Sequence, residues 1–116
     1  IYDGQSLPGL GSIRQAGVGD TVSVGTFNAS PGIVELLNDE TSGLKLDVGG
    51  DNTWWAYAAA DSVFRALQGE APIDNYNIGI RVFDQSNKDI ISSTSDEKAW
   101  YGYTGYIEEF QALWTK

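Results

Sequence analysis

Three times in this chain an apolar run meets a polar residue and passes at once into a helix start. The segments are IYDGQS (residues 1–6), VSVGTFNASP (22–31) and LKLDVGGDNTWW (44–55). Strands feeding helices at this cadence pair in parallel through right-handed crossovers. The expected fold is therefore α/β, an open and mostly parallel sheet with helices on both faces. Such sheets bind ligands outside the carboxyl ends of their strands. Asp3, Gln5, Asn28 and Asp47, the polar residues of the three segments, are expected to line that edge.

Local signals fill in the rest. Ser6 is the expected N-cap of a first helix, with Pro8 in its first turn, Leu7, Leu10 and Ile13 on one face, and Gly17 as its stop. Residues 22–27 predict a strand, and Ser30-Pro31 opens a second helix reaching Leu37. Residues 44–48 predict a strand ending at Gly49 and Gly50. Asp51 or Asn52 then caps the longest helix, whose row Ala56, Ala60, Val63 and Leu67 is small enough to lie close on a sheet. Residues 77–83 predict a fourth strand and 84–98 a loop. A last helix over 104–114 is expected to carry Tyr106, Phe110 and Trp114 on one face.

Composition narrows the chemistry. Sixteen acidic against seven basic residues give a net charge of -9, which repels nucleic acid. With no histidine and no cysteine, the chain builds no imidazole base, no Ser-His-Asp triad, no histidine metal site and no disulfide. No stretch approaches the ~20 apolar residues of a membrane span. The glycines at 9, 11, 49 and 50 match neither the dinucleotide fingerprint nor a P-loop. Asp84, Ser86, Asn87 and Asp89 have calcium-loop residue types, but Lys88 stands among them and no glutamate closes the ring, so a solvated turn is expected. Of the neighbouring indoles Trp54 and Trp55, one is expected to pack and one to stack on an apolar ligand face. Trp100, Tyr101, Tyr103 and Tyr106 read as a packing latch. Ile1 already lies in an apolar run and the chain lacks methionine, so a piece of a longer polypeptide is expected.

Over VGTFNASPG (24–32), LKLDVGGDNTWWAYAAADSVFRALQGEAP (44–72) and NIGIRVFDQSN (77–87), the chain resembles the C-terminal part of type I periplasmic sugar-binding proteins. That family serves ATP-binding-cassette importers and includes the ribose-binding proteins. In the run Phe27 to Pro31, Asn28 replaces the family's usual aspartate. Asp47 stands at a strand end that usually carries glutamine, and the helix ending Ala60-Asp61 to Leu67-Gln68-Gly69 matches. Gln5 is the counterpart, by spacing, of an earlier polar contact. The resemblance implies a non-enzymatic, two-lobed receptor that needs no cofactor or metal and closes on a monosaccharide or related polyol. Asp3, Gln5, Asn28, Asp47 and Trp54 are its expected ligand contacts. It also implies delivery to a membrane permease from a periplasmic or extracellular position, with or without a lipid anchor. Residues 1–50 and 77–90 would form the sheet and helices of one lobe, 51–69 a helix packed on the other lobe, and 91–116 an aromatic tail. Residues 1–116 are then expected either to self-associate or to stay bound to the N-terminal lobe of the same protein. The alternatives are an effector-binding domain of a lactose-repressor type regulator and a phosphoacceptor receiver domain using Asp47.

Overall fold

The computed structural model describes residues 1–92 and 100–115. Helix α1 spans Asp3–Ala16, strand β1 Val24–Phe27, and a single helical turn α2 Pro31–Val34. Two 3-10 turns, Glu35–Asn38 and Glu40–Ser42, lead into strand β2, Leu44–Gly50. Then follow α3, Asn52–Gln68, strand β3, Ile80–Asp84, the turn α4, Asp89–Ser92, and α5, Tyr106–Trp114. The expected loop over 84–98 thus includes α4, and its residues 93–98 lie outside the described ones.

The sheet has the order β1-β2-β3. β1 and β2 are parallel, Phe27 opposite Val48, whereas β3 runs antiparallel to β2 with Val82 opposite Val48. The α/β class holds, but the sheet is mixed rather than mostly parallel. The reason lies after α3: no second crossover helix brings the chain back, and residues 70–79 return in irregular backbone to enter β3 from the opposite end. The first apolar segment contributes only a parallel bridge from Tyr2 to Phe27. α1 begins at Asp3, so Ser6 is not its N-cap. It lies inside the helix, where its Oγ donates to the Asp3 carbonyl at 2.5 Å.

The described helices cover one face of the sheet, not both. Leu10 of α1, Ile33 and Val34 of α2, Leu37, Leu44, Phe83, Ile91 and Trp100 form one core there. The other face leaves Phe27, Leu46, Ile80 and Val82 exposed. A second, separate core joins α3 to α5 through Ala58, Tyr106 and Phe110, with Trp54, Tyr57, Tyr76 and Ile78 against it. Two cores in series make the molecule long, 56 × 25 × 18 Å with a radius of gyration of 17.4 Å, against about 13 Å for a globule of this length.

α3 buries a different stripe from the one expected. Asp51 caps it, accepting from the Thr53 and Trp54 amides at 2.8 and 3.3 Å. Its inward face is Trp54, Tyr57, Ala58, Asp61 and Arg65, while Ala56, Val63 and Leu67 face outward. Polar residues hold the inward seam together. The Asp61 carboxylate accepts from Arg65 Nε at 2.6 Å, Tyr76 OH at 2.9 Å and Trp114 Nε1 at 2.9 Å. Tyr106 OH donates to Asp51 Oδ2 at 2.7 Å, tying α5 to the α3 cap.

Candidate functional site

The carboxyl ends of β1 and β2 meet at the corner Asn28-Ala29-Ser30. Asn28 and Ala29 have φ of 116° and 54°, a region where non-glycine residues cost on the order of 1–3 kcal/mol each. Hydrogen bonds hold the corner in place. The Asn28 amide donates to the Val48 carbonyl at 2.7 Å, the Ala29 amide to Asp47 Oδ1 at 3.3 Å and the Ser30 amide to Asp3 Oδ2 at 2.6 Å. Two carboxylates from different elements thus receive consecutive amides of one strained turn. Gly49 lies directly against this turn, where a Cβ would sit 2.6 Å from the Asn28 carbonyl oxygen.

Asp3 and Asp47 are both fully buried. Asp47 lies inside β2 rather than at its end, because the strand runs on through Gly49 and Gly50. It shares the helix-covered face with Thr26 and Phe83, its neighbours across the sheet. Its second oxygen, Oδ2, is buried with no hydrogen-bond partner among the described residues. Burial pushes the Asp47 pKa above the ordinary carboxylate value, the Asp3 charge adds to this, and hydrogen bonds from Thr26, Ala29 and Val48 offset part of it.

Above the corner, on the uncovered side, a groove of about 320 Å3 follows the ends of β1 and β2. Phe27, Asn28, Val48, Gly49, Gly50, Asn52, Trp55 and Ile80 line it. Its volume falls at the lower end of small-molecule sites. Phe27 and Trp55 are each about half exposed, at 54% and 51%, and offer flat apolar surface. Asn28 and Asn52 offer amide donors and acceptors, and Asn28 gives one bond to Ser30 Oγ at 2.9 Å.

Of the five expected ligand contacts, only Asn28 lines this groove. Asp3 and Asp47 lie beneath it as supports of the corner, and Gln5 is exposed on the first turn of α1. Trp54 is turned away, stacked on Tyr106 with ring centroids 4.9 Å apart and an interplanar angle of 5°. Its neighbour Trp55 enters the groove instead. Of the indole pair it is thus Trp55 that lines the groove, together with Asn52, which the sequence offers only as a helix cap; Trp54 shares its helix face with Tyr57, Ala58 and Asp61, which leaves Trp55 for the sheet side.

A larger cavity of about 530 Å3 between α3 and α5 is lined by Asp61, Phe64, Arg65, Gln68, Glu70, Leu113 and Trp114. Its charged groups are already paired, Arg65 bonding Asp61 and Glu70, so it offers a ligand less than the groove does. The 84–89 segment is a turn in which Asp84 Oδ1 accepts from the Ser86 hydroxyl and amide at 2.6 and 2.7 Å. These bonds, the hydroxyl's first, hold its pKa below the ordinary value. No described helix is long and apolar enough to cross a membrane. Comparison of the chain with protein-family models, curated proteins and solved structures returns no match.

Proposed function

We propose that this chain is the ligand-binding part of a solute receptor for a sugar importer, and that it holds a monosaccharide or related polyol in the groove over β1 and β2. One observation carries the reading. At the carboxyl end of a parallel strand pair, two half-exposed aromatic rings, Phe27 and Trp55, flank two carboxamides, Asn28 and Asn52. A sugar presents hydroxyls that donate and accept together with a weakly apolar ring face. Carboxamides answer the first and aromatic rings the second. The resemblance over 24–32, 44–72 and 77–87 supports the same assignment, as does the position of the groove at the ligand-binding edge of an α/β sheet.

Asp3 and Asp47 enter this reading as positioning residues that hold the corner carrying Asn28. Their full burial gives no support to a phosphoacceptor role for Asp47. Isothermal titration of the protein, with any companion lobe present, against a panel of monosaccharides and polyols tests the proposal. Binding of one member is expected, with Trp55→Ala weakening it by roughly ten-fold, or about 1.4 kcal/mol. A protein that binds no member of the panel, or binds one equally well without the Trp55 ring, contradicts it.

A further inference from the structure

Two apolar surfaces of this chain lie open and match each other in kind. One is the outer sheet face, where Phe27, Leu46, Ile80 and Val82 are 39–68% exposed. The other is the outward side of α3, the row Ala56, Ala60, Val63 and Leu67, of which Val63 is 56% and Leu67 80% exposed. Rows of small and branched residues are what a helix lays against a sheet, and a sheet face left apolar is what accepts it. The two do not meet within one chain, because α3 leaves the end of β2 and packs on α5.

Charge agrees with their being covered together. In a chain of net charge -9, no exposed residue of α3 is charged, and the outer sheet face shows only Gly25, Phe27, Leu46, Val48, Ile80 and Val82. Two copies can therefore close these surfaces without burying like charges, the usual obstacle for an acidic chain. The area is sufficient as well. Phe27, Leu46, Ile80, Val82, Val63 and Leu67 together expose on the order of 600 Å2, the share per partner of a specific interface at the small end of the usual range.

We propose that a second copy of this chain covers them, the α3 row of each lying on the outer sheet face of the other in a two-fold, reciprocal contact. Phe27 and Ile80 belong to this contact and also line the groove, so the dimer and a groove ligand exclude each other, and the test of the dimer contains no sugar. Sedimentation velocity of the 116-residue chain across a wide concentration range is expected to show a species of twice 12.6 kDa. Leu67→Glu is expected to raise the dimer dissociation constant by on the order of 100-fold, since it buries an unpaired charge, with an unchanged circular dichroism spectrum. The absence of cysteine allows the geometry to be read directly. Mixed Leu67→Cys and Val82→Cys copies, treated with a short bismaleimide, are expected to join helix to sheet. A monomer at every concentration overturns the proposal, and so does a dimer whose cross-links join only like to like or do not form.

Discussion

Asp47 and Asp61 are the same side chain, both buried, and the protein treats them in opposite ways. Asp61, between α3 and α5, receives three donors from Arg65, Tyr76 and Trp114. Burial alone would raise its pKa, yet those hydrogen bonds together with the Arg65 charge outweigh it and hold the carboxyl below its ordinary range. Asp47, beneath the sheet corner, has its pKa raised by burial and, less strongly, by the Asp3 charge, and one of its oxygens has no partner among the described residues. The difference shows which unit is built for cohesion and which carries strain. The helical unit satisfies its buried charge. The sheet unit leaves one carboxylate oxygen without a partner among the described residues, directly under the groove and beside two non-glycine residues at positive φ, and such local costs gather at functional sites.

The largest expected effect falls on the satisfied side. Asp61→Ala leaves Arg65 without its main partner and removes two further bonds, for a loss of about 3 kcal/mol in urea unfolding. A loss no greater than that of an exposed surface substitution would dissolve the contrast. Gly49→Ala comes next: its Cβ meets backbone at the strained corner, and overpacking of this kind costs roughly 2 kcal/mol. It is expected to loosen the corner and weaken any groove ligand at the same time. If stability falls while binding is untouched, the corner does not position the groove. Asp47→Asn is expected to do least, leaving stability unchanged or raising it by under about 1 kcal/mol, because it removes a buried charge that lacks a full set of partners.

Much of this could be read in the chain, and the failures have physical causes. β2 begins where expected, and the Asp51 cap, α3 and the final helix stand where cap residue and apolar spacing placed them. Ser30-Pro31 does open a helix, although only a short one. The orientation of β3 could not be read, because strand propensity is blind to direction and only the return path over residues 70–79 decides it. The buried stripe of α3 was misjudged for a different reason. Hydrophobic periodicity counts apolar residues, whereas this seam is organised around Asp61 and Arg65. At the site, the residue types and the sheet edge were legible in Asn28 and Asp47, but the depth of Asp47 was not. Two glycines that read as a strand end prove to be strand residues held close by Ala29 and Trp55, and three further residues of β2 put Asp47 under the corner instead of at the rim.

Titration of the aspartate side chains, followed residue by residue through their carboxyl carbon-13 resonances, tests the contrast most directly. Asp61 is ionised throughout the neutral range, so its stabilisation is present above the ordinary carboxylate pKa and is lost only as pH falls through its lower folded value. Asp47 has the opposite sign: the cost of its charge is present above its raised folded pKa and is relieved as pH falls through that value toward the ordinary one. Acidification from neutrality is therefore expected first to favour the sheet unit and then, below the ordinary carboxylate value, to weaken the α3–α5 unit. Asp47 is expected to take its proton above the ordinary carboxylate value and Asp61 below it. Two coincident titrations, or the reverse order, would contradict it.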